Sequence, residues 1–210
     1  MRVTEIFFSI QGEGTRAGRP CVFVRFTGCD LRCVYCDTAY AFRGGRELTR
    51  EEILAEVARH PSRLVLLTGG EPLLQHELPE LARDLLQRGY EVTVETHGQR
   101  PLDALPREAV RIVDVKTPAS GEVTTDLAYL DALAPHDEVK FVVASEEDWR
   151  WSLEVIRRHR LDGRVTVLAS PVHGAVEPRD LARWILESGA LVRLNLQLHK
   201  IVWGADARGV

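Results

Sequence analysis

The sequence predicts an α/β fold, an incomplete (partial) TIM-type barrel of about six or seven mainly parallel strands. Three observations lead there. Short apolar, β-branched runs recur along the chain, amphipathic stretches separate them, and 210 residues fall short of the ~250 that a closed eight-stranded barrel takes. Continuous apolar runs suit strands covered on both faces, hence a parallel sheet. The β-α alternation implies right-handed crossovers. No linker, repeat or low-complexity tract interrupts residues 1–210, which read as one domain.

The elements follow in order. "CVFVRF" (21–26) is the first strand. "LTREEILAEVARHP" is a helix, with Thr49 and Glu52 spaced as a capping box and Pro61 as its stop. "RLVLLT" (63–68) is the second strand, and "HELPELARDLLQRG" is a helix closed by Gly89. "YEVTVET" (90–96), "RIVDVKT" (111–117), "EVKFVVA" (138–144), "RVTVLAS" (164–170) and "LVRLNLQ" (191–197) supply the remaining strands. "SEEDWRWSLEVIRRHR" and "EPRDLARWILESG" are helices, with Trp149 and Trp151 read as packing or dimer surface. Segments 99–110 and 118–137 are expected to hold weaker or shorter helices.

A hydrophobic content of 45% with 28% charged residues marks an ordinary globular chain. A net charge of −4 supplies no basic field for a phosphate backbone, so no nucleic-acid partner is expected. "MRVTEIFFSIQGEGT" has no apolar stretch long enough for a secretion signal, and no run approaches the ~20 residues of a membrane span. The expectation is a cytoplasmic protein without membrane contact, whose thiols stay reduced.

In parallel α/β folds, chemistry collects where strands exit at their C-terminal ends. Each exit here holds a polar cluster: the cysteines of "TGCDLRCVYCDT", then "TGGEP" (68–72), "ETHG" (95–98), "DVKTP" (114–118), "ASEED" (144–148), "SPVHG" (170–174) and "QLHK" (197–200). One such cluster is an ordinary turn or cap. Seven at one rim point to a site.

Cys29, Cys33 and Cys36 have the spacing C-x3-C-x2-C. Reduced, clustered thiols are metal ligands or catalytic groups before they are disulfides. A structural zinc site wants four closed ligands; Asp30, Asp37 or a distant histidine could complete one. Cys21 lies inside a strand and reads as a small buried apolar residue. Alternatively, three cysteines can hold a four-iron cluster that keeps one iron open for another ligand.

These residues resemble the radical S-adenosylmethionine superfamily. Its C-x3-C-x2-C hallmark has an aromatic residue before the last cysteine, here Tyr35, and its "GGE" motif follows the second strand, here Gly69, Gly70 and Glu71 before Pro72. The resemblance implies a 4Fe-4S cluster on Cys29, Cys33 and Cys36 as the catalytic ligands. The open iron would chelate S-adenosylmethionine, with Tyr35, Cys36, Asp37, Gly69, Gly70, Glu71, Lys116 and Ser145 around that cofactor.

Over essentially the whole chain the sequence is similar to the 7-carboxy-7-deazaguanine synthase family, the ring-contracting enzymes of queuosine and 7-deazapurine biosynthesis. The matching stretches are "FFSIQGEGTRAGRP", "FVRFTGC", "CDT", "LTGGEP", "VETHG", "DVKTP", "KFVVASEEDW", "LQLHK" and the tail "RGV". The family often has Asn or Ser where His97 stands. The resemblance implies conversion of 6-carboxy-5,6,7,8-tetrahydropterin with loss of ammonia. A radical made from S-adenosylmethionine takes hydrogen from C6 and later returns it.

It also implies a substrate site. "FFSIQGEGTRAGRP" would be a substrate-binding loop closing the rim together with the C-terminal tail. Arg25 would grip the substrate carboxylate as a bidentate fork. Ile10, Gln11, Gly12, Glu13, Thr68, Glu95, His199 and the Val210 carboxylate would meet the pterin edge. Thr38 would be the protein ligand to Mg2+, which keeps waters and takes its other oxygens from substrate. The implied partners are a flavodoxin or ferredoxin electron donor and a second copy in a homodimer. The rival readings are another radical enzyme of this fold, such as a glycyl-radical activase, and a structural zinc-binding protein.

Overall fold

The structure, a computed structural model, describes every residue from Met1 to Val210 except Asp206. Among the described residues nine strands form one open sheet: β1 (Arg2–Ile10), β2 (Pro20–Phe26), β3 (Arg46–Glu47), β4 (Leu64–Gly69), β5 (Glu91–Thr96), β6 (Val110–Val115), β7 (Glu138–Val143), β8 (Thr166–Pro171) and β9 (Val192–Leu194). Their order is β3-β1-β2-β4-β5-β6-β7-β8-β9. From β2 to β9 every neighbour is parallel. These seven are the expected strands, though the last keeps only three residues.

The two extra strands are antiparallel and lie at one edge. β1 escapes a sequence reading for a physical reason. Val3 faces Phe26 and Glu5 faces Arg25, so Thr4 forms a bulge that breaks the two-residue alternation. Val3 and Ile6 pack with the helices outside, while Phe7 stacks on Phe23 inside, ring centroids 4.7 Å apart. Phe7 to Ile10, expected in the substrate-binding loop, are therefore strand.

The helices are α1 (Arg50–Val57), α2 (Leu78–Gln87), α3 (Glu146–Arg158), α4 (Pro178–Ser188) and α5 (Leu198–Trp203). The α1 capping box forms as expected between Thr49 and Glu52. α2 closes with Gly89 N–H on the Leu86 carbonyl and Tyr90 N–H on that of Leu85. Residues 99–110 contain no helix, contrary to expectation. Pro101 and Pro106 deny it backbone donors, and buried Leu102, Leu105 and Ala109 pin an irregular crossover instead. Segment 118–137 holds two 3-10 turns, Pro118–Ser120 and Ala128–Ala132. α5 stands where the exit of the last strand, "QLHK" (197–200), and the tail were expected.

Alternation along the parallel strands sorts their residues. Val22, Val24, Val65, Leu67, Val92 and Val94 face outward onto α1 and α2. Val113, Val139, Phe141, Val143 and Val167 meet α3 and α4. Trp149 is buried in that layer and Trp151 packs against it, so Trp149 is core and not dimer surface. Inward lies a smaller apolar floor of Cys21, Phe23, Leu64, Leu66 and Ile112. The inward residues above it are polar. No helix among the described residues is long and apolar enough to cross a membrane.

Candidate active site in the barrel

The cysteine loop leaves the C-terminal end of β2. Gly28 N–H donates to the Ala41 carbonyl at 2.8 Å, Val34 N–H to that of Ser120 at 2.9 Å, and Cys36 N–H to that of Cys33 at 3.2 Å. Cys29, Cys33 and Cys36 are half-buried free thiols. Burial pushes each thiol above its ordinary pKa; at Cys33 the Lys116 ammonium pulls the other way. Cys21 is fully buried, with its thiol pushed up to about 12 by burial, and belongs to the floor.

The "TGGEP" turn packs directly on this loop. A Cβ added to Gly70 would lie 2.2 Å from the Gly28 carbonyl oxygen and 2.8 Å from Cys29 Cβ, so only glycine fits. Glu71 N–H donates to the Gly28 carbonyl at 2.8 Å. The Glu71 side chain, expected at the cofactor, is instead wholly buried. It accepts from Leu73 N–H at 3.0 Å, Thr96 Oγ1 at 2.8 Å and His97 N–H at 3.0 Å. Burying a carboxylate is tolerable only with such donors, and here they turn it away from the rim.

Other expected cofactor contacts also have jobs within the protein. Ser145 Oγ accepts Asp148 N–H at 3.2 Å as the N-cap of α3. The Tyr35 hydroxyl lies 3.3 Å from Thr117 Oγ1 and 3.3 Å from the Val142 carbonyl, docking the loop on β7 and the segment after β6. Lys116 Nζ pairs with Asp114 Oδ2 at 2.9 Å. The Asp114 Oδ1 atom is buried with no donor among the described residues, the mark of a site that a polar ligand completes.

Below the cysteines lies a charged layer that the sequence reading did not centre on its key residue, Lys140. Lys140 Nζ donates to Glu13 Oε2 at 3.0 Å and to Glu95 Oε1, and Asp114 Oδ2 stands 3.5 Å away. Thr68 Oγ1 donates to Glu95 Oε2 at 3.1 Å. Gln197 Nε2 and Asn195 Nδ2 donate to the two oxygens of Glu13 at 2.8 and 3.4 Å. Burial alone would raise Glu13 and Asp114; the lysines outweigh it and hold both below the ordinary carboxylate range. Glu13, Thr68 and Glu95 are thus brought together as expected, on a cation not named among them.

The loop bearing Glu13 lies elsewhere than expected. Ile10 pairs with Pro20 at the start of β2, so residues 11–19 sit at the opposite, N-terminal end of the parallel strands. There Arg16 and Arg19 pair with Glu91, and Thr15 and Arg16 with Glu138. The loop closes the barrel's bottom, not its rim, and Glu13 reaches up from it. Gln11 shapes the loop, its Oε1 accepting Glu13 N–H at 3.2 Å. Gly12 lies against His199: an added Cβ would be 2.2 Å from Nδ1. Burial lowers the His199 pKa below its ordinary value.

Arg25 Nε donates to Glu5 Oε1 at 2.8 Å, and Glu5 also accepts from the Tyr40 hydroxyl at 2.8 Å. The tail reaches the same corner, with the Arg208 guanidinium 4.4 Å over the Tyr40 ring; Val210 is exposed. The Thr38 hydroxyl donates to Asp37 Oδ1 at 3.0 Å, and Lys200 Nζ of α5 holds Asp37 Oδ2 at 2.8 Å.

Among the described residues no three His, Cys, Asp or Glu side chains converge on one point as in a mononuclear metal centre. Three half-buried thiols around one loop, each free to hold a different iron, fit a cluster. For Mg2+ the fit is one hydroxyl already bonded to a neighbouring carboxylate.

A family model described as the radical SAM superfamily matches residues 23–185. The chain is 46% identical to the 7-carboxy-7-deazaguanine synthase of Koribacter versatilis, over 100% of both chains. It is 42% identical to that of Chlorobaculum tepidum, over 100% of this chain and 97% of the other. The crystal structure of QueE from Escherichia coli superposes with a TM-score of 0.78 at 24% identity, over 94% of each chain. Streptococcus suis SuiB bound to S-adenosylmethionine gives 0.57 at 15% identity, over 84% of this chain and 50% of that one.

Proposed function

The chain belongs to the radical S-adenosylmethionine superfamily and, within it, to the 7-carboxy-7-deazaguanine synthase family, and on that premise we propose how its barrel contracts the ring of 6-carboxy-5,6,7,8-tetrahydropterin to 7-carboxy-7-deazaguanine, with loss of ammonia, in queuosine biosynthesis. Residues 1–210 act as one domain. When bound, the 4Fe-4S cluster and S-adenosylmethionine supply the radical that removes hydrogen from substrate C6.

The observation behind this reading is the stacking of two layers. Cys29 packs on Gly70, and Asp114, which acts on Cys33 and Cys36 from one side, stands 3.5 Å from Lys140 on the other. Cys29, Cys33 and Cys36 hold the cluster, leaving one iron for S-adenosylmethionine. Gly69 and Gly70 offer that cofactor close backbone, and Lys116 with Asp114 offers a charged edge. Glu71 and Ser145 serve by shaping the turn and capping α3.

On the substrate side, Glu13 and Glu95 accept hydrogens from the pterin's amino and amide edge; Lys140 bonds to both and holds Glu13 below the ordinary carboxylate range. Thr68 and His199 complete that wall, with Ile10 to Gly12 lining its base. Arg25, oriented by Glu5, takes the substrate carboxylate, and the Val210 end of the tail lies over the same corner. Buried polar groups set for one edge reject analogues that lack it. Thr38 is the protein ligand of a Mg2+ ion brought in largely with substrate.

The reading extends to a flavodoxin or ferredoxin as reductant, to a cytoplasmic location, and to a homodimer through the exposed Ile201, Val202 and Trp203 of α5. The test is anaerobic turnover of iron-reconstituted protein with S-adenosylmethionine, Mg2+, reductant and 6-carboxytetrahydropterin. Formation of the deazaguanine acid and ammonia supports the proposal. Reductive cleavage of S-adenosylmethionine with the pterin untouched refutes the substrate.

A further inference from the structure

His97 follows β5, where its relatives were expected to carry Asn or Ser. Its side chain is only 3% exposed. Gln99 N–H donates to Nδ1 at 3.1 Å, so Nδ1 carries no proton and the ring hydrogen sits on Nε2. Nε2 faces two carboxylates, Asp30 Oδ1 at 2.9 Å and Glu71 Oε2 at 3.2 Å.

Those two acids belong to the two motifs of the cofactor site. Asp30 follows Cys29 in the cysteine loop, and its Oδ2 is held by Arg100 Nε and Nη2 at 3.0 and 2.6 Å. Glu71 closes the Gly69–Gly70 turn and binds the Gly28 carbonyl through its N–H. The Cys29 arm is thus braced from β5 through one ring. The loop beyond it is held separately, by Val34 N–H on the Ser120 carbonyl.

We propose that His97 is a positioning residue that fixes Cys29 against the Gly69–Glu71 turn through Asp30. The proposal rests on the reading of Cys29, Cys33 and Cys36 as cluster ligands. It assigns His97 a role that neither a general folding contact nor the other two cysteines share.

The test uses iron-free full-length protein and measures iodoacetamide labelling of each cysteine by mass spectrometry. His97→Phe keeps a ring and deletes the donor; it speeds labelling of Cys29 about fivefold, the factor for one net hydrogen bond, with Cys33 and Cys36 unchanged. His97→Gln, whose amide N–H points the same way, returns the rate toward wild type. Asp30→Ala reproduces the effect from the accessible partner, which keeps the test valid if His97→Phe does not fold. Combining His97→Phe with Asp30→Ala adds nothing further. Cys29 labelling at the wild-type rate in both single variants overturns the proposal, as does equal acceleration of all three cysteines. Iron uptake by wild type tests the ligand reading independently.

Discussion

Lys140→Met removes the ammonium from a layer of three carboxylates while leaving a side chain of similar length. Lys140 is 7% exposed, and Asp114, Glu13 and Glu95 are 13, 19 and 27% exposed. Breaking a buried charge pair by deleting one partner costs about 3–5 kcal/mol. Partial exposure of the glutamates puts this case at the lower end, about 3 kcal/mol. For a chain of this size that lowers Tm by about 6–12 °C.

The pH dependence carries a sign that separates this cause from simple loss of packing. In the wild type, Glu13 and Asp114 lie below their ordinary values in spite of burial, because Lys140 and Lys116 are near. A depressed carboxylate stabilises the fold above its ordinary pKa of about 4 and loses that contribution as pH falls through its native value. The two carboxylates therefore add no slope to wild type between pH 8 and 5 and weaken it below, while buried His199, depressed from its ordinary value of about 6.5, weakens the fold as pH falls through that value. In Lys140→Met, Asp114 keeps Lys116 but Glu13 loses its counter-ion, so burial raises Glu13 and adds a gain in stability as pH falls from 8 to 5 that wild type lacks. Urea melts of iron-free protein at several pH values read both effects. A loss under 1 kcal/mol with the same pH profile as wild type would refute the account of Lys140 as the counter-ion of this layer.

Replacing Cys29, Cys33 or Cys36 singly by Ala abolishes four-iron loading, whereas Cys21→Ala, in the apolar floor, leaves iron content unchanged; iron analysis and visible absorbance after reconstitution decide this. Gly12→Ala drives a Cβ into the His199 ring and raises KM for the pterin between ~10- and ~100-fold, read from initial rates, while its iron content stays at the wild-type level. Arg25→Lys keeps the charge but loses the planar fork; loss of one charge-assisted bond raises KM about tenfold or more, and an unchanged KM removes Arg25 from the carboxylate site.

The seven parallel strands were legible because burial on both faces writes itself as unbroken apolar runs. β1 was not, since the bulge at Thr4 shifts its alternation, and β3 is only two residues long. The crossover after His97 shows how Pro101 and Pro106 suppress the weak helix expected over 99–110. Within the site, the cysteine loop and Gly69–Gly70 could be read because their geometry is local. The burial of Glu71 could not, since its donors Thr96 and His97 stand at the end of β5, 25 and 26 residues away. Lys140 left a signal in "EVKFVVA": a charge within an apolar strand, two positions from Glu138 and so on the same inward face. Arg25 and Asp114 carry the same mark. The position of the 11–19 loop depended on β1 being a strand, so that error followed from the first.

The most direct test of the ring-contraction account is turnover of pterin deuterated at C6, with S-adenosylmethionine at one-tenth of the substrate concentration. The account predicts many turnovers for each S-adenosylmethionine, with the C6 deuterium moved through the cofactor and returned to product. One S-adenosylmethionine consumed per product, or deuterium lost to solvent without ever entering the cofactor, would contradict it.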